Sequence, residues 1–251
     1  MRRLRAVGRL VRCVVHGLHG LGIVLFRFPR LAHGERLAAI RWWSQKMLLA
    51  IGIELRVEGT PASGGSLLVA NHVSWLDIMV VHAVAPQARF VSKADVKSWP
   101  LISRLVDAAG TLYLERERKR DALRVVHAMA EVLRSGQTVA IFPEGTTSTG
   151  HGLLPFHANL LQAAISTATP VQPVALRFSD SSHAVSEAME FVGATSLAES
   201  LWSSACGDGV VARVAFLAPR HSAGADRREL ARRLRADIGA ALGVVDQPPE
   251  A

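Results

Sequence analysis

His72 and Asp77 stand five residues apart in Ala70-Asn71-His72-Val73-Ser74-Trp75-Leu76-Asp77, and their types suit general-base chemistry. A neutral imidazole takes a proton from an alcohol. A carboxylate on its far ring nitrogen fixes the tautomer and stabilises the imidazolium as it forms. On one continuous helix a spacing of five would set the side chains about 140° apart. The pair therefore meets only if His72 lies in a bend ahead of a helix. The flanks predict such a bend: residues 66–70 are a short apolar run of buried-strand type, and residues 75–83 have a helical pattern. In open α/β sheets, ligands bind beyond the carboxyl ends of strands. A second reading stays open on the same residues. Ser74-Trp75-Leu76-Asp77 also fits a capping box, in which Asp77 serves only the helix end and His72 is an ordinary core residue.

Residues 137–142 predict another buried strand, running into Pro143-Glu144-Gly145-Thr146-Thr147-Ser148. Pro143 and Gly145 permit a tight turn, which aims backbone N–H groups at an anion. Glu144 has two available roles, holding an acceptor hydroxyl or bracing the loop. No Gly-x-Ser-x-Gly occurs, and neither Cys13 nor Cys206 lies in a motif, which disfavours a covalent intermediate. No metal-ligand spacing appears among the ten histidines.

Asn71-His72-x4-Asp77 followed by Phe142-Pro143-Glu144-Gly145-Thr146-x-Ser148 resembles the glycerolipid acyltransferase family, which includes the 1-acylglycerol-3-phosphate acyltransferases. The resemblance runs from about residue 66 to 178, and more weakly to the C-terminus. It implies acyl transfer from a thioester of coenzyme A or acyl carrier protein, a co-substrate and not a cofactor, to the hydroxyl of a lysolipid. The first acceptor it implies is 1-acyl-sn-glycerol-3-phosphate, giving phosphatidic acid. It makes His72 the base, with Asp77 orienting it, and places Asn71, Glu144, Gly145 and Thr146 at the substrate. Arg116 matches an arginine associated with the acceptor phosphate, and a guanidinium fork suits that contact. Two positions depart from the family's pattern. Thr147 stands where Arg is usual after Glu-Gly-Thr, and His157 where Lys is common. Both changes remove a cation, so lyso-ornithine lipid, whose headgroup carries no phosphate, is the alternative acceptor. A lipid-binding protein without turnover is the rival from another class.

The elements that must position these residues follow from periodicity. Strands are expected at 53–59, 88–93, 110–116, 170–178, 189–193 and 210–217. Helices are expected at 35–51, 99–109, 121–134, 157–167 and from Asp226 to about Leu242. The fold class is therefore α/β, a single domain with a mixed, mostly parallel sheet flanked by helices, plus an N-terminal two-helix membrane anchor. The expected division is 1–58 for the docking segment and 59–245 for the acyltransferase domain.

Charge supports that anchor. The chain carries a net +8, and residues 1–60 hold eleven Lys/Arg against three Asp/Glu, while residues 61–251 hold eighteen of each. An excess confined to one segment argues for an anionic membrane surface there, and against a nucleic acid as partner of the whole protein. Residues 14–26 are uncharged but only thirteen long, against about 20 needed to span a bilayer. An interfacial helix, with arginines at headgroups, is the expectation. Trp42-Trp43 suit either that interface or core packing. Two cysteines fit a reducing compartment, so the catalytic domain is expected at the cytoplasmic face of the inner membrane.

Overall fold

Four consecutive buried residues, Leu67–Ala70, form the strand at the middle of the sheet, where apolar side chains are needed on both faces. The computed structural model describes residues 2–98, 102–114 and 119–244. Seven strands make one sheet: β1 (Ile53–Glu58), β2 (Leu67–Ala70), β3 (Arg89–Lys93), β4 (Leu112–Leu114), β5 (Val139–Ile141), β6 (Val171–Ser179) and β7 (Val210–Phe216). Their order is β1-β7-β6-β2-β5-β3-β4. Only β6 and β7 run antiparallel; the other neighbours are parallel. β1 is an edge strand, and its Glu54, Arg56 and Glu58 protect that edge from further pairing.

Side chains of β2 alternate between two cores. Leu68 and Ala70 face a core with α2 (His33–Ile51), α3 (Leu76–His82) and α7 (Leu197–Cys206). Leu67 and Val69 face another with α5 (Lys119–Arg134), α6 (Gln162–Thr167) and α8 (Arg227–Leu242). The short α4 (Ile102–Ala108) joins β3 to β4. α1 (Arg2–Gly22) lies outside the first layer, against α2 and α7. The chain leaves β2 toward β3, and leaves the adjacent β5 toward β6 on the other side. These two connections pass over each other's strands on opposite faces of the sheet, so the turns after β2 and β5 lie side by side at the carboxyl ends.

Several expectations change on contact with the fold. Residues 53–58, grouped above with the N-terminal segment, pair with β7 and belong to the sheet. Met47, Leu48 and Ile51 of α2 are core residues, so the N-terminal quarter is partly built into the domain. No strand forms at 189–193; a 3-10 turn, Glu187–Met189, buries Met189 instead. α7 carries little helical signal in the sequence, because its short apolar pattern is broken by small polar residues.

The N-terminal basic head and most of the apolar run form α1, which passes at Gly22 into a π-helical turn, Ile23–Arg27. Among the described residues, the stretch Arg3–Arg30 has the length and composition to cross a membrane, and little of it is buried. Not all its arginines are available to headgroups, however. Arg9 is 8% exposed and donates to the Ala205 and Gly207 carbonyls at the end of α7. Arg5 pairs with Asp208 at 3.0 Å. These contacts dock α1 on the domain. α1 and α2 are also locked together: Trp43 Nε1 donates to the His16 carbonyl, and the His16 ring stacks on Trp43 and bonds its carbonyl. Gly20 permits this approach, since a Cβ there would fall 2.2 Å from Trp43 Nε1. The tryptophan pair thus divides: Trp43 packs between helices, while Trp42 is 40% exposed. Arg9→Met is expected to lower unfolding free energy by about 1.5–3 kcal/mol, the range for hydrogen bonds to a charged group. Urea denaturation measures this, and vesicle binding of the folded fraction should stay unchanged.

Candidate active site

β2 ends at Ala70, and the chain then turns before α3 begins at Leu76. Asn71 makes the first turn rigid. Its amide donates to the Leu176 carbonyl at 2.9 Å and accepts the Leu176 N–H at 2.8 Å, extending the β2–β6 ladder with a side chain. Asn71 is therefore fully engaged by β6 and buried, and its geometry is that of a brace.

In the bend, His72 Nδ1 lies 2.7 Å from Asp77 Oδ2. A carboxylate only accepts, so Nδ1 carries a proton, and in the neutral tautomer that this bond selects the lone pair is on Nε2. Asp77 is wholly buried, while the His72 side chain is 19% exposed. The same Oδ2 also accepts the N–H groups of Val73, at 2.7 Å, and Ser74, at 2.9 Å. Asp77 thus performs the capping half of the earlier alternative and the orienting role together. The His72 ring stacks face to face on Phe142, with centroids 3.9 Å apart. Trp75 Nε1 donates to Ser200 Oγ and ties the bend to α7.

The turn after β5 reaches across to His72. Glu144 Oε1 accepts the His72 N–H at 2.7 Å, and Oε2 accepts the Leu154 N–H at 2.9 Å. The Ser148 N–H and hydroxyl both donate to the His72 carbonyl. The backbone of His72 is held at both its polar groups by one loop. Glu144 is 3% exposed and each of its oxygens accepts a backbone N–H, which is the geometry of a loop brace. Gly145 has φ +74° and its N–H donates to the Phe142 carbonyl, closing the turn. Only Gly adopts that conformation without strain. Thr146 is exposed on the same turn. Thr147 donates its hydroxyl to the Phe191 carbonyl. The N–H of His157 donates to the Pro143 carbonyl. Arg116 lies outside the described residues. Ser148 stands in the motif and acts as a loop hydrogen bonder, whereas Leu154 carries no signal in the sequence because it is its backbone that acts.

Burial pushes the Glu144 carboxyl up to about 7, partly offset by the Leu154 and His72 bonds. A folded value above the ordinary 4.5 means the native state holds the proton more tightly between about 4.5 and 7. The stability this contributes is complete below about 4.5 and is lost as pH rises through about 7. Wild type should therefore gain more stability than Glu144→Gln between pH 8 and pH 5, measured as the difference in denaturation free energy. His82, wholly buried beside Phe90, is lowered by burial to about 4 and is neutral at pH 7. No cluster of His, Cys, Asp and Glu suited to a metal ion occurs among the described residues.

A His–Asp pair sits in a bend at the carboxyl end of a central strand of an α/β sheet, clamped by a Pro-Glu-Gly turn, and these groups suit general-base chemistry. A family model described as Acyltransferase matches residues 53–177. A lyso-ornithine lipid O-acyltransferase of Pseudomonas aeruginosa is 36% identical over 252 residues, covering 96% of this chain and 95% of that one. A 1-acyl-sn-glycerol-3-phosphate acyltransferase of Neisseria gonorrhoeae is 44% identical over 132 residues, 53% of this chain and 51% of the relative. The crystal structure of the 1-acyl-sn-glycerophosphate acyltransferase PlsC of Thermotoga maritima superposes with a TM-score of 0.75 at 22% identity, covering 97% of each chain, which establishes the shared fold. The chain belongs to the acyltransferase family.

Proposed function

We propose that this chain transfers a fatty acyl group from an acyl thioester to the free hydroxyl of a lysolipid. The observation that carries the reading is the 2.7 Å bond between His72 Nδ1 and Asp77, which leaves Nε2 as the base. Nε2 takes the hydroxyl proton as the oxygen attacks the thioester carbonyl. Asp77 stabilises the imidazolium formed in that step. The tetrahedral intermediate collapses with cleavage of the C–S bond, and the imidazolium returns its proton to the departing thiolate. No acyl-enzyme is required.

The donor is acyl-coenzyme A or acyl-acyl carrier protein. The acceptor implied first is 1-acyl-sn-glycerol-3-phosphate, with Arg116 at its phosphate. One observation favours lyso-ornithine lipid instead: Thr147, in place of a cation, is bonded inward to Phe191. The Pseudomonas aeruginosa relative, matched along nearly its whole length, carries that name. The substrate is amphiphilic, and α1 supports delivery from a membrane surface. Leu4, Val7, Val11, Val14, Val15 and Leu18 are all exposed along it, followed by Phe26. That stripe suits the acyl boundary, with the catalytic domain at the cytoplasmic face of the inner membrane.

The test is thiol release from acyl-coenzyme A by the full-length protein with a panel of lysolipids. Release with lysophosphatidate, and formation of phosphatidic acid, is expected. Release only with lyso-ornithine lipid would move the acceptor to the second reading. Release without acceptor would mean hydrolysis, and none with any acceptor or donor would leave a lipid-binding scaffold.

A further inference from the structure

Arg235 of α8 makes two hydrogen bonds to the loop that follows the Glu144 turn. Its Nη2 donates to the Leu153 carbonyl at 2.6 Å, and its Nε to the Leu154 carbonyl at 3.0 Å. The Leu153 carbonyl and the Leu154 N–H are the two ends of one peptide group. That N–H donates to Glu144 Oε2 at 2.9 Å, and Glu144 Oε1 accepts the His72 N–H at 2.7 Å. A guanidinium at the carbonyl end and a carboxylate at the N–H end polarise the peptide in the same sense, so each bond strengthens the other. From these contacts we propose that Arg235 is a positioning residue for acyl transfer, acting on His72 through the 153–154 peptide and Glu144.

A simple anchoring role explains less. The Leu153 side chain is already buried among Ala175, Ile238 and Leu242, which fastens the loop to α8 without the guanidinium. Arg235 adds the orientation of the peptide plane, and the peptide plane decides where Leu154 aims its N–H. Among the described residues Glu144 accepts from two backbone groups, the His72 and Leu154 N–H, so its carboxylate is seated only as well as that peptide is. Tilting it would release the His72 bend on the side that Ser148 does not hold.

The inference rests on His72 being the base, so His72→Ala is assayed beside the new variants. The assay uses full-length protein in mixed micelles with acyl-coenzyme A and whichever lysolipid the panel identifies. Arg235→Gln is expected to lower kcat about tenfold or more, as small misplacements of a catalytic group do. KM for both substrates should stay within about twofold, because the contacts removed are to loop backbone carbonyls. Arg235→Lys, whose ammonium reaches one carbonyl, should lie about threefold below wild type in kcat with KM unchanged. In the double variant with Glu144→Gln, kcat should match Glu144→Gln alone within about twofold, since both act along one path. Wild-type kcat in Arg235→Gln, losses confined to KM, or losses that multiply in the double variant would each overturn the proposal. If Arg235→Gln does not fold, Arg235→Lys decides, and wild-type kcat there overturns it. Full activity in His72→Ala would remove the base assignment itself; an inactive His72→Ala beside an unaffected Arg235→Gln removes only the brace.

Discussion

His72→Ala is expected to lose acyl transfer by about 10³-fold or more, since a positioned general base typically contributes about 10²–10⁴. The fold should survive the change for a specific reason. What holds the bend is the His72 main chain, with its N–H on Glu144 and its carbonyl on Ser148, and Ala keeps both groups. The ring itself is partly exposed and packs on one face of Phe142, so its removal should cost about 1–2 kcal/mol. The exposed stripe of α1 is untouched, and vesicle binding should equal that of wild type. Thiol release with saturating lysolipid, together with a thermal melt, makes the measurement. Activity within tenfold of wild type would end the general-base mechanism.

Asp77→Asn is expected to fold and to be slow in kcat, by less than the roughly 10⁴-fold loss of a triad whose tautomer is also wrong. All three donors converge on one carboxylate oxygen, from His72 Nδ1 and the N–H groups of Val73 and Ser74. The other oxygen is buried with no hydrogen-bond partner among the described residues. An Asn can therefore place its carbonyl oxygen where Oδ2 sits and preserve every bond. The geometry and tautomer stay, and only the negative charge beside the imidazolium is lost. The amide nitrogen then occupies the partnerless position, at a cost of about 1–3 kcal/mol. Asp77→Ala removes the bonds as well and should be both inactive and clearly less stable. The pair of variants separates two roles. If Asp77 served only the helix end, Asn, as good a cap as Asp, would leave kcat near wild type. A kcat deficit in Asp77→Asn at unchanged KM, with most of the melting temperature retained, identifies charge stabilisation.

Local patterns determined a great deal here. The runs at 67–70 and 139–141 are apolar without interruption, because strands covered on both faces need apolar side chains at every position. The His72–Asp77 contact was legible too, since a strand ending two residues before the His leaves only a bend between it and the helix. Asp226, expected to cap the last helix, accepts the N–H groups of Arg228 and Glu229. In each case the deciding contacts lie within a few residues of one another, so the order of residue types contains them.

Tertiary structure alone decided the rest. Arg9 looks like any arginine of a basic head, and only the meeting of α1 with α7 turns it inward. Trp42 and Trp43 are identical as residue types, yet the helix pairing packs one, half-buried, between helices and leaves the other at the surface. Asn71 and Glu144 carry groups that suit a substrate. Their partners are instead the backbone of Leu176, His72 and Leu154, and backbone groups are the same at every residue. Side-chain chemistry is written in residue types and survives in a linear sequence. Which distant main-chain group completes a hydrogen bond is set by how the elements stack, and that is where the braces of this site reside.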